Sequence, residues 1–225
     1  MDSKTQPDVA DTAWAIGGAT PDRVSELEPA RREAVYEAAL DVFGQRGYGR
    51  ALTGDIAREA GMSKGLLFFY FHNKKDLYLR LIDHLMDKVT EPVVDDGFWE
   101  IDDFFELLLY AGCKRGAVMR RFPRLLDFSL RIYYPEHSEV RDALNVWTQR
   151  QTNAMLERFF KNVDFGRFKD DVDPLHVIEL LVWLADGYLH QERSRGRAID
   201  LDDLLAHLEE WCHMLRFYAY KEECL

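Results

Sequence analysis

The 225-residue sequence has no run of eighteen apolar residues, which argues against a membrane span. Its opening, MDSKTQPDVA, has no apolar stretch behind a basic head, so no secretory signal is expected. Cysteine is scarce: Cys113, Cys212 and Cys224 lack metal-ligand spacing and leave one unpaired, as expected of reduced thiols in a cytosolic protein. Nowhere do β-branched residues alternate with polar ones, which leaves no candidate strand and points to an all-α fold. Catalytic signatures are missing too: there is no GxSxG, no phosphate-cradling glycine loop and no CxxC. The seven histidines (72, 84, 137, 176, 190, 207 and 213) form no metal-ligand motif, and His207 and His213, six apart, point in different directions on a helix. The chain is expected to be no enzyme and to need neither metal nor cofactor.

Positive charge is also short, with a net of -11 that argues at first against nucleic acid. The deficit is uneven. Residues 1–21 hold one basic and three acidic residues, residues 22–88 hold 11 of each, and the remaining 17 basic and 26 acidic residues follow residue 88. Between 40 and 75, Arg46, Arg50, Arg58, Lys64, Lys74 and Lys75 face only Asp41, Asp55 and Glu59. Phosphate contact needs such a local surface, not a basic whole.

Residues 1–22 read as a flexible arm. Glu28–Pro29 marks the start of a first helix whose apolar spacing (Ala34, Val35, Ala38, Val42, Phe43) runs to Gly47. Thr53 is the expected N-cap of TGDIAREA, which ends at Gly61; Ser63 caps KGLLFFYF; and Asn73 with Asp76 has the capping-box pattern of a fourth helix over about 74–90. Glu91–Pro92 and Asp95–Gly97 break the pattern. Helical runs follow near 101–113, 116–130, 139–161, 174–192 and 201–220, with loops at 133–138 and 165–173. A helix-turn-helix module over 23–75 and a larger helical domain over 76–225 are expected.

Three helices of about 17, 8 and 8 residues, the last two joined by a very tight turn, set the final one outward at a steep angle. A major groove about 12 Å wide admits one helix, and the first turn reaches base edges best. That puts Ser63, Lys64, Gly65 and Leu66 at DNA: Lys64 as donor to guanine, Gly65 allowing close approach, Leu66 against a thymine methyl. Tyr70 and Lys74, and the free N–H groups at the Thr53 helix start, suit phosphates. Ile56, Ala57, Ala60, Leu67 and Phe71 form the glue of the three helices.

The stretch Ala38–Leu77, AALDVFGQRGYGRALTGDIAREAGMSKGLLFFYFHNKKDL, closely resembles the N-terminal domain of the tetracycline-repressor (TetR) family. The likeness includes Phe43, Gly47–Tyr48, the block DIAREAGMSKG, the Tyr70–Phe71 pair, and Lys74 before Asp76–Leu77. It implies a helical second domain that binds a small molecule and dimerises through its last two helices. Repression of a palindromic double-stranded operator, relieved by ligand, is the implied activity, with the chain cytoplasmic and at the nucleoid when bound. Carried across, Thr53 starts the second helix against a phosphate, Lys64 and Gly65 contact bases, and Phe68, Phe69, Tyr70 and Lys74 match the cluster around the backbone. Two departures stand out: Leu52 where a second threonine is common, and Phe68 where tyrosine is common.

The second domain is rich in aromatics that suit an apolar pocket for a small hydrophobic effector. Trp99, Phe105, Tyr110, Phe122, Phe128, Tyr134, Trp147 and Trp183 are the candidate lining residues. Glu106, Asp127 and Glu179 suit a cationic ligand, and Arg120, Arg124 and Arg131 an anionic one. The helix over 174–192 is apolar on more than one face, and with LDDLLAHLEEWCHMLRFYAY it suits a four-helix interface between two copies. Its candidates are Leu180, Trp183, Leu184, Gly187, Leu204, Leu208, Trp211 and Leu215. The alternative class is a helical interaction protein that regulates through a protein partner instead of DNA.

Overall fold

The computed structural model describes the backbone of residues 23–133 and 137–225, and their side chains apart from those at 123, 127, 130, 131, 133 and 149–157. The fold is all-α; one isolated antiparallel bridge, Phe168 with Tyr220, is the only extended pairing among the described residues. A 3-10 turn at Arg23–Glu26 leads into α1 (Pro29–Arg50), whose first N–H groups are accepted by the Glu28 carboxylate behind a proline that needs none. Gly47 breaks the helical path of α1 at φ +68°, where its last turn swings away.

Two short helices follow, α2 (Thr53–Glu59) and α3 (Lys64–Tyr70). Gly61, at φ +65°, makes the turn between them, and Met62 N–H closes back on the Ala57 carbonyl at 2.9 Å. Ser63 caps α3 by accepting from Leu66 N–H at 3.1 Å. The N-cap of α2 is Leu52, not Thr53: Thr53 is already inside the helix and is buried. Asn73 caps α4 (Lys74–Thr90), but the expected box does not close, because Asp76 turns away to Arg80 Nε at 2.9 Å.

Asp95–Gly97, read as a break, instead begins α5 (Asp96–Glu100), since Asp95 accepts from Phe98 N–H at 3.0 Å. Next come α6 (Phe104–Arg121) and α7 (Pro123–Tyr133). The helix break thus falls at Phe122–Pro123 and not between 113 and 116. Proline cannot continue the ladder, whereas Gly116 stays helical and lets Leu205 pack directly on the α6 backbone. Then follow α8 (Ser138–Phe159), α9 (Pro174–Ser194) and α10 (Leu201–Ala219). Among the described residues no helix is long and apolar enough to cross a membrane.

Two cores form. The first joins α1 to α4 with α7 and the first half of α8. At its centre Tyr78 meets Phe43, Tyr48 and Phe128 edge-on, with ring centroids 4.9, 5.1 and 5.5 Å apart. Trp147, also fully buried, donates to Asp83 Oδ1 at 2.9 Å. The second core gathers α5, α6, the end of α8, α9 and α10 around Phe104, Phe105, Phe168 and Tyr220. At its edge the buried Asp103 carboxylate binds Arg167 at 3.0 Å and also Arg216, and so ties the chain end to the start of α6. The boundary expected between residues 75 and 76 therefore lies inside a continuous first core.

Candidate nucleic-acid interface

One side of α3 is anchored and the other is offered to solvent. Leu67 and the following Phe71 are fully buried, whereas Ser63, Lys64 and Gly65 are exposed and Leu66 is half-buried. Ile56 and Ala57 of α2 lie beneath, as the apolar spacing predicts. A Cβ on Gly65 would meet nothing closer than Ser63 Oγ at 3.9 Å, so the backbone of this first turn stands clear of its own protein. Lys64 reaches back with its ammonium 5.8 Å from the Phe68 ring.

Other expected contacts are placed less simply. Thr53 is buried while its neighbour Leu52 is 61 % exposed, so the surface at the start of α2 is a leucine and not a hydroxyl. Lys74 sits 4.6 Å over the Tyr48 ring and donates to the Gly49 carbonyl at 3.3 Å. Burial lowers its pKa, with the Glu139 charge opposing. Tyr70 is half-buried against the first core, and Phe69 is 46 % exposed.

The surrounding charge is arranged by one acid. Asp55 binds Arg46, and Arg58 at 2.7 Å, and the Arg46 hydrogen bond leads in holding its carboxyl below the usual range. Glu139 of α8 is near enough to act on Lys74, whereas the acids at the far end of α4, Asp87 and Glu91, are remote from α3. α4 has 17 residues and so is about 25 Å long, whereas charges are screened over about 8 Å at physiological ionic strength. Acids at that distance contribute little to the potential at α3.

In the second half, the expected lining residues do not converge. Phe105 is buried in the second core; Phe128 and Trp147 belong to the first; Phe122 and Trp183 are exposed. Trp99 sits under the Lys161 ammonium at 4.1 Å. Tyr110 donates to Asp95 Oδ1 at 2.6 Å, an interaction that raises its own pKa and helps Lys114 lower that of Asp95. Tyr134 lies outside the described residues, as do the side chains of Asp127 and Arg131. Arg120 pairs with Asp202, Arg124 with Asp41, and Glu179 with His176 at 3.4 Å, while Glu106 lies exposed on α6.

A shallow cleft, enclosing only about 20 Å³ of free space, lies elsewhere. Thr90 at the end of α4, Val93 and Val94 form one side; Phe98, Phe159 and Phe160 another; Leu107, Leu108, Ala111 and Arg115 of α6 the floor. None of the seven expected lining residues that are described touches it. Its aromatic wall, Phe98, Phe159 and Phe160, lies outside the set of candidate lining residues, because aromatic composition alone does not say which rings converge.

On α9 and α10 an apolar surface is left uncovered. Trp183 is 59 % exposed, and Val182, Met214, Phe217 and Tyr218 are exposed with it. Gly187 meets nothing within 4 Å. Leu180, Leu184, Leu204 and Trp211 are half-buried. Two candidates turn inward. Leu215 is buried in the second core, whereas Leu208, also packed on Gly112 of α6, is half-buried. Met214, Phe217 and Tyr218 were missed because their period on α10 reads equally well as core.

Residues 35–81 match the family described as bacterial regulatory proteins, tetR family. The probable HTH-type transcriptional regulator ArpR of Pseudomonas putida is 36 % identical over 204 residues, covering 84 % of this chain and 91 % of that one. The HTH-type transcriptional repressor AcnR of Corynebacterium diphtheriae is 29 % identical over 185 residues, covering 80 % and 90 %. Among solved structures, the fold is similar to that of SmeT, the repressor of a Stenotrophomonas maltophilia multidrug efflux pump. The TM-score is 0.62 at 16 % identity, over 90 % of this chain and 95 % of that one.

Proposed function

The chain belongs to the tetR family of helix-turn-helix bacterial transcriptional regulators, and we propose that it represses transcription as a homodimer on a palindromic operator until an apolar effector releases it. The observation that carries the DNA part is the first turn of α3: Ser63, Lys64 and Gly65 stand clear while Leu67 and Phe71 lock the helix from behind. Lys64 donates to a base edge, Ser63 and Gly65 allow the approach, and Leu66 packs against a thymine methyl. Tyr70, Phe69 and Lys74 flank the backbone, and the α2 start at Thr53 lies against a phosphate.

The uncovered apolar face of α9 and α10 supports pairing of two copies, because a face this apolar is stabilised by burial against its own image. A two-fold pair sets two α3 helices about 34–36 Å apart, or a near multiple, to meet successive major grooves. In this reading the effector site is the cleft under α5, opened wider than at rest, where it has room for little more than a water. It touches Thr90, the last residue of α4, whose first residue is Lys74 beside the head. An effector that prefers a displaced α4 shifts the pair towards a spacing that misfits the operator, which is all that population shift requires.

The test is salt-dependent binding to DNA from the chain's own upstream region against random competitor. Lys64→Ala is expected to lose about 10- to 100-fold of specific affinity. Indifference to that change and to salt would transfer the function to a protein partner. Leu108→Trp, which fills the cleft, is expected to keep operator binding and lose release by effector.

A further inference from the structure

We infer that Arg23, outside the helix-turn-helix, is a phosphate anchor of the DNA face, carried to α3 by the turn before α1 and held there by stacking on Phe69. The inference rests on the DNA-binding reading above and adds to it a residue that no motif in residues 53–71 contains.

The placement is built from both sides. Val24 and Leu27 are buried in the first core, and Leu27 N–H closes on the Val24 carbonyl at 3.2 Å, so the backbone at Arg23 is pinned. From that fixed point the guanidinium carbon lies 4.5 Å from the Phe69 ring centroid. Phe69 belongs to α3, 46 positions along the chain from Arg23, and is 46 % exposed, whereas Phe71, just past the end of that helix, is sealed. Phe69 meets the Tyr70 ring edge-on at 5.1 Å and keeps a flat face that a guanidinium prefers to an ammonium.

Stacking occupies only the flat face of the guanidinium. Its N–H groups lie around the rim, in the plane that matches phosphate oxygens. Phe69 follows Lys64 by five residues, about 7.5 Å along the helix axis. With the first turn of α3 in the groove, that end lies towards the wall, where the sugar-phosphate strand runs. Arg23 thus meets the backbone at the end of α3 opposite its base-reading turn. A chain of net charge -11 gains from every cation fixed at this surface.

The probe is the duplex that wild-type protein enriches from a random-sequence pool, with binding followed by fluorescence anisotropy across a salt series. Arg23→Ala is expected to flatten the slope of log K against log salt by about 1 per chain. For a pair of chains its deficit therefore shrinks by about tenfold between roughly 50 and 200 mM salt. Arg23→Lys is expected to restore most of the slope. Phe69→Leu is expected to flatten it in part, with Arg23→Ala on that background adding only the remainder, because the ring is what places the charge. A wild-type slope in Arg23→Ala, whether affinity is kept or lost with melting temperature, overturns the inference and leaves a structural stacking pair. Enrichment of no sequence by wild-type protein overturns the DNA reading itself, and this inference with it.

Discussion

The surface around α3 and the surface made by α9 and α10 are both exposed, yet they are built from opposite side chains. Around α3 the outward positions are Ser63, Lys64 and Gly65, with Phe69 and Leu52 as the apolar exceptions, over a core with Leu67 and Phe71 sealed. On α9 and α10 they are Val182, Trp183, Met214, Phe217 and Tyr218. Water tolerates the first indefinitely and charges the second a hydrophobic cost of about 25 cal/mol for each Å² of apolar area left open. The first surface therefore waits for a polyanion, whereas the second favours a permanent apolar cover. The interiors differ too: the head is packed solid on α7 and α8, while the second half keeps a cleft beside the end of α4.

The sharpest way to break this contrast is to put charge on the apolar face. Trp183→Asp is expected to give a monomer by sedimentation at micromolar concentration. Operator affinity should fall about 10²- to 10⁴-fold, since the second half-site no longer binds as part of one body. A variant that stays paired would show that copies meet elsewhere. Next in size is the shared core. Phe128→Ala on α7 is expected to cost about 3–5 kcal/mol, and to melt the head and the rest in one transition; a head that survives alone in hydrogen exchange would restore the boundary near residue 75.

A smaller effect tests the polar surface. Leu52→Thr, at a 61 % exposed position beside the α2 start, is expected to tighten operator binding about two- to tenfold by one added hydrogen bond to phosphate. Unchanged or weaker binding there would mean that the DNA strand passes elsewhere.

The smallest effect concerns His84, stacked on Tyr36 with ring centroids 4.3 Å apart. Burial holds its imidazole below its ordinary pKa, although Glu33 Oε2, at 3.1 Å, pulls the other way. The unfolded chain then takes up this proton more readily than the folded one. Stability from this group is complete above about pH 6.5 and is lost as pH falls below it. His84→Gln should blunt the drop in melting temperature between pH 7.5 and 5.5; an identical drop would place the acid sensitivity in other groups.

Much of the head was legible because its signals are local. Ser63 and Asn73 are caps that act within three residues, Gly61 makes its turn by its own φ, and Leu67 and Phe71 follow one helix face. Where the reading slipped, the competing partner was remote or of the wrong kind. Asp76 was drawn from its cap to Arg80, and Phe128 and Trp147 went to the first core because α7 and α8 pack on α1 and α4. Neither the pairing of α7 with α1 nor the packing of Leu208 on Gly112 has a period that a single helix displays.

By itself, then, the sequence determined the helices, the tight turn and the family, since caps, glycines and apolar spacing act over one or two turns of chain. Tertiary structure decided which aromatic faces which core, where the cleft opens, which apolar residues of α9 and α10 stay outside, and that Arg23 lies on Phe69. Those outcomes depend on contacts between residues far apart in the chain, and the energy of such contacts is assigned only when whole helices compete for the same interior.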